Sequence, residues 1–171
     1  MEMIIKNYIE TIEELIGQIF ATVPLGFMTG IVVLLVMKYL NYNKRDRIVT
    51  SIFAIYISVI IQGTILLRPI GMINEIVLKP FPIVGGARYM ILYAVANALA
   101  FMPLGILLPL VWEKAQRTKV CVFTGLLLSL FIETMQLILC CGVVQTEDLI
   151  MNTLGTYIGY RLYRIIKNKR A

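Results

Sequence analysis

The sequence predicts an all-α protein, a polytopic helical bundle integral to a membrane. Three observations carry the prediction. Of 171 residues, 59% are hydrophobic, against about 45–50% in soluble domains, and mean hydropathy is +0.83. Five apolar runs have a length near the roughly 17–25 residues that cross a bilayer as helix. Charged residues gather in short caps between those runs. A net charge of +6 would point to nucleic acid in a soluble chain. Here the capping pattern gives the basic residues to membrane topology, and no nucleic-acid partner is expected. The chain has no His, which excludes His-based acid–base chemistry and His metal ligation. No repeat or low-complexity tract divides residues 1–171, so a single domain is expected.

Residues 1–19 come first. Ile5, Ile9, Ile12, Leu15, Ile16 and Ile19 recur at helical spacing, with Glu2, Lys6, Glu10, Glu13 and Glu14 largely opposite. That is an amphipathic helix, lying on the outer surface, packing on the bundle or extending the first span. The spans follow at 20–39, 48–67, 90–112, 120–140 and 149–166. The first begins too late, and behind acidic residues, to be an ordinary signal peptide. The fifth is the shortest and carries Asn152, Gly155, Thr156, Gly159 and Arg161. Gly155-x-x-x-Gly159 permits close helix packing, with a homodimer as the alternative use. Between spans two and three lies an external loop, 68–89, with prolines at 69, 80 and 82 and the Gly85-Gly86 turn signal. Its prolines resist a continuous helix. Its apolar content predicts that it folds back onto the bundle or dips into the lipid surface.

Lys and Arg set the orientation. Lys38, Lys44, Arg45, Arg47, Lys114, Arg117, Lys119, Arg161, Arg164, Lys167, Lys169 and Arg170 fall on one side, twelve of the 16 basic residues. The positive-inside rule then places the N-terminus outside and the C-terminus in the cytoplasm.

With that topology, the polar residues inside the spans share a depth. Glu133 lies about 10 Å below the outer end of the fourth span, with Gln136 on the same face at i+3. Asn97 lies at a similar depth in the third. Asp148 stands at the mouth of the fifth, with Asn152 one turn deeper. Arg68 ends the second and can reach inward. A carboxylate in a bilayer costs at least about 2.5–3.5 kcal/mol on insertion scales. Interhelical hydrogen bonds return only about 0.6 kcal/mol on average. Structural glue alone is therefore the weaker account, and a polar ligand pocket open to the outer leaflet is the stronger. Such a pocket suits an amphiphile whose tail lies against Phe101, Met102 and Leu104. Pro103 is expected to kink the third span and free a carbonyl near the pocket floor. Gln62 is a buried amide with no evident partner.

These same residues resemble a known family. Leu67-Arg68-Pro69, Asn97-x-x-x-Phe101-Met102-Pro103-Leu104-Gly105, Glu133-x-x-Gln136 and Asp148-x-x-x-Asn152-x-x-Gly155-x-x-x-Gly159 occur in the order seen in VanZ-like membrane proteins of Gram-positive bacteria. The resemblance covers roughly residues 50–165. It implies a bacterial plasma-membrane protein and resistance to teicoplanin and related lipid-tailed glycopeptides. The chain departs from the family in three places. Val143 stands after Gly142 where an Arg is usual, Glu147-Asp148 replaces Asp-Asp, and Val77-Leu78-Lys79 replaces Asn-Leu-Ile. Lys79 is then a candidate to supply the missing external cation.

The reading that follows is a non-enzymatic protein binding a lipid-tailed glycopeptide or lipid-linked wall precursor, with membrane lipids as its other partners. Arg68, Asn97, Glu133, Gln136, Asp148 and Asn152 form the ligand site. The alternatives are an intramembrane enzyme on a lipid-linked phosphate or sugar, with Glu133 and Asp148 as its catalytic groups, and a small lipid transporter. No catalytic residue is assigned beyond that pair. No cofactor is expected. Cys121, Cys140 and Cys141 match no metal or redox spacing, and an oxygen-ligand Mg²⁺ or Ca²⁺ site is only chemically possible.

Overall fold

The computed structural model describes residues 2–71, 73–77 and 87–169. Helix α1 runs unbroken over Glu2–Tyr39, α2 over Lys44–Ile61, α3 over Ala87–Val111, α4 over Thr118–Leu139 and α5 over Thr146–Asn168. Four helical stretches are long and apolar enough to cross a bilayer: Phe20–Tyr39, Lys44–Leu66, Leu92–Val111 and Thr118–Leu139. The protein is a membrane protein built of helices. Of the five expected spans, these four meet the length and hydropathy that a crossing needs. Helix α5, with 23 residues, is about 34 Å long. It has the length, but its polar residues keep it out of that set.

Residues 2–19 belong to α1 without a break; most of their side chains lie outside the described residues. Asn41, in the left-handed region at φ 59, closes that helix, and the Tyr42 N–H returns to the Met37 carbonyl at 3.0 Å. Asn43 caps α2: its side-chain oxygen accepts from the Asp46 N–H at 2.9 Å. Gly26 and Gly30, one turn apart, let α1 approach α2. A Cβ at Gly26 would stand 3.0 Å from Val59 Cγ2, and one at Gly30 would strike Ile55.

Helix α5 is the centre of the bundle. Asn152, Gly155, Thr156, Gly159, Tyr160 and Tyr163 are buried, one stripe at i, i+3, i+4, i+7. Its glycines meet α3 backbone to backbone: a Cβ at Gly155 would strike the Ala98 carbonyl, and one at Gly159 the Met102 carbonyl. Gly105 of α3 lies as close to Thr156 and Tyr160. Gly125 of α4 faces the Thr156 side chain. Gly155-x-x-x-Gly159 thus packs within the chain, and a dimer through the same pair would need this contact to open. The outward face of α5 carries Ile150, Leu154, Ile158, Leu162, Ile165 and Ile166, all exposed. Small and polar side chains point in, and apolar ones point out.

The purely helical expectation needs one correction. Strand β1, Ile73–Val77, pairs in parallel with β2, Cys141–Gln145, from Ile73 beside Cys141 to Val77 beside Gln145. Helices α3 and α4 run out and back between them, which supplies the long crossover a parallel pair requires. Part of the 68–89 loop therefore folds onto the bundle as a strand. Lys79, Pro80, Pro82 and Gly85-Gly86 lie outside the described residues.

Candidate functional site

The sequence-predicted polar residues gather around β2 and the helix ends that flank it. Helix α2 ends in a π-helical turn, Gln62–Leu66. A helix end leaves carbonyls without intrahelical partners, and Pro69 has no N–H to offer. The Thr64 carbonyl instead accepts from Gln136 Nε2 of α4 at 2.9 Å. One turn earlier on α4, Glu133 Oε2 accepts the Gln145 N–H at 3.1 Å, tying α4 to the last residue of β2. Asn97 Nδ2 of α3 donates to Asp148 Oδ1 of α5 at 2.7 Å. Asn152 Nδ2 donates to Ser129 Oγ at 2.9 Å, tying α5 to α4. Four helices and the strand pair are thus cross-linked at one end of the bundle.

Arg68 completes the cluster. A Cβ built at Gly142 would stand 3.0 Å from Arg68 Nη1 and 3.2 Å from Gln136 Cδ. Gly142 leaves room beside both the guanidinium and the amide. Arg68 and Asp148 both act electrostatically on Glu133, and Arg68 also acts on Asp148. Arg68 thus lies within electrostatic range of both carboxylates.

Glu133, Gln136 and Asn152 are buried to within 3–5% exposure, and so is Glu147. Asn152 Oδ1 is enclosed and has no hydrogen-bond partner among the described residues. A buried carbonyl oxygen left unpaired costs about 1–3 kcal/mol, so the site holds an acceptor in want of a donor.

The tail position expected from sequence is corrected. Phe101 is 2% exposed and Leu104 1%, packed in the core with Ile60, Ile132 and Tyr160. Neither can receive a ligand tail. An apolar groove of about 500 Å³ opens instead between α4 and α5, lined by Val122, Leu126, Leu149, Ile150, Thr153, Leu154 and Tyr157. It begins at the two residues that follow Asp148. The bonded carbonyl near Pro103 is that of Ala100, which accepts from Tyr56 Oη of α2 at 3.0 Å. Gln62 has its partner: Nε2 donates to the Ser58 carbonyl at 3.1 Å and to Ser58 Oγ at 2.9 Å.

Sequence reasoning missed Ser129, the Thr64 carbonyl, the Gln145 N–H and the room at Gly142. For Ser129 a signal existed, since it lies one turn from Glu133 on the same face of α4. The backbone partners had none. Among the described residues, no group of three or more Cys, Asp or Glu is placed to hold a metal ion.

No solved structure matches this chain. Over 86 residues it is 35% identical to Protein VanZ of Enterococcus faecium, a match covering 50% of this chain and 50% of that protein. The chain spans about half the length of that curated relative. A sequence model of the VanZ/LLP1 family matches residues 31–167. That stretch contains the capped turn between α1 and α2, the α3–α5 glycine contact and every residue of the polar cluster, and the chain belongs to the VanZ/LLP1 family.

Proposed function

We propose that this protein lowers sensitivity to teicoplanin and related lipid-tailed glycopeptides by holding a lipid-tailed ligand, or a lipid-linked wall precursor, at the outer leaflet of the bacterial plasma membrane. The observation that carries the proposal is the enclosed polar cluster, with its unpartnered Asn152 oxygen, beside an apolar groove. Arg68 offers a fork suited to phosphate or carboxylate. Asn97, Gln136 and Asn152 offer amide contacts, and Glu133 and Asp148 accept donors. The groove takes the tail.

In this reading α5 is the fifth span. Its apolar outward face supports that, because a helix end-on to water would expose polar side chains there. The basic caps support a cytoplasmic C-terminus and an external polar cluster.

Expression in a susceptible Gram-positive host tests the proposal. The minimum inhibitory concentration of teicoplanin should rise several-fold, while that of a glycopeptide without a lipid tail should stay level. An equal rise for both would remove the tail from the account, and no rise for either would remove the function.

A further inference from the structure

At the opposite end of α5, a second polar cavity lies away from the cluster. It has a volume of about 260 Å³ and is lined by Gln116, Tyr163, Arg164, Lys167 and Asn168. We propose that this cavity binds a phosphate group, that of an anionic phospholipid headgroup in the leaflet at the basic end of the bundle. The proposal does not depend on what the first site holds.

The argument starts from how the two cations are positioned. Tyr160 Oη donates to the Gln116 carbonyl at 2.6 Å, clamping α5 to the short 3₁₀ turn Glu113–Gln116. The same hydroxyl accepts from Arg164 Nη1 at 3.3 Å. Lys167 Nζ donates to Gln116 Oε1 at 2.7 Å and lies 5.8 Å from the Tyr163 ring centre. Every one of these partners is neutral. Neither cation has a carboxylate partner among the described residues. Neutral partners orient a charge without cancelling it. A guanidinium has five N–H donors and an ammonium three, so most of theirs remain for a ligand.

Arg164 and Lys167 stand three residues apart, on one face of α5. A helix C-terminus is the negative end of its dipole and opposes an anion, but with only about half a charge. Two formal positive charges outweigh it. The depth fits a lipid headgroup as well. From Thr146 to Asn168, α5 spans about 34 Å, close to the roughly 30 Å hydrocarbon thickness. One helix end at Asp148 in the first site puts the other end at headgroup level.

The test uses the full chain in nanodiscs of phosphatidylcholine, with and without phosphatidylglycerol, and native mass spectrometry to count retained phosphatidylglycerol. The wild type should retain it. Removing both cavity charges, Arg164→Gln with Lys167→Gln, should weaken retention roughly tenfold, about 1.4 kcal/mol. The matched pair Arg161→Gln with Lys169→Gln removes equal charge outside the cavity and should change it less than about twofold. Equal loss in both double variants would reduce the effect to diffuse positive charge and overturn the site. Displacement by millimolar inorganic phosphate, with equal phosphate binding in lipid-free detergent, would overturn the lipid assignment and give the cavity to a soluble phosphate.

Discussion

Glu133 shows what a buried carboxylate does here. One oxygen accepts a backbone N–H from β2, while Arg68 and Asp148 act on it with opposite sign. Its single hydrogen bond is worth on average about 0.6 kcal/mol in a membrane, less than the cost of inserting the charge. Packing alone does not account for it. Gly142 is the residue-scale test of the arrangement around it. A Cβ there meets the far ends of two flexible side chains, Arg68 and Gln136. The fold can accommodate Gly142→Ala, and the guanidinium has to move. The variant should keep its thermal unfolding midpoint and lose teicoplanin protection. Full protection with a normal midpoint would show that the position of Arg68 is immaterial.

At the scale of elements, α5 explains why the fifth run looked weak from sequence. Its polar and small residues are not spread around the helix; they form the stripe that α3 and α4 bury. The spacing Asn152, Gly155, Gly159 was legible, as were the positions of α2 to α5 to within a few residues, while the expected outer helix and first span run together as α1. The β1–β2 pair was not. Ile76-Val77 and Val143-Val144 are β-branched, but strand propensity means little until a partner is brought alongside, and that partner lies beyond two helices. The backbone partners of Glu133 and Gln136 depend on the same pairing and on the π-helical turn, so they were equally unreadable. The tail site was misplaced because apolar residues next to a kink read alike whether they face lipid or core. Two glycine variants separate close packing from mere flexibility. Gly155→Ala should be destabilising, at the upper end of the roughly 1–3 kcal/mol of overpacking, because its Cβ meets Ala98 backbone that cannot turn aside. Gly17→Ala, with nothing within 4 Å, should stabilise α1 by about 0.5–1 kcal/mol. Thermal unfolding of the detergent-purified variants reads both, and matching effects would mean that α5 does not pack on α3 as described.

For the whole molecule, the two ends of α5 divide the chemistry. One end gathers carboxylates, amides and, among the described residues, a single cation into a cluster under a strand pair. The other presents Arg164 and Lys167, whose partners among the described residues are neutral. Between them the helices pack through glycine and expose apolar surface, as a body surrounded by lipid must. The central claim is that the enclosed cluster is a ligand site and not merely the joint between helices. Glu133→Gln tests it most directly. The amide keeps an oxygen to accept the Gln145 N–H, so the joint survives while the charge is lost. Teicoplanin susceptibility of an expressing host should return to that of the empty host, with the amount of protein in the membrane unchanged. Protection that persists, or that falls only in step with membrane abundance, would contradict the claim and leave Glu133 as a structural residue.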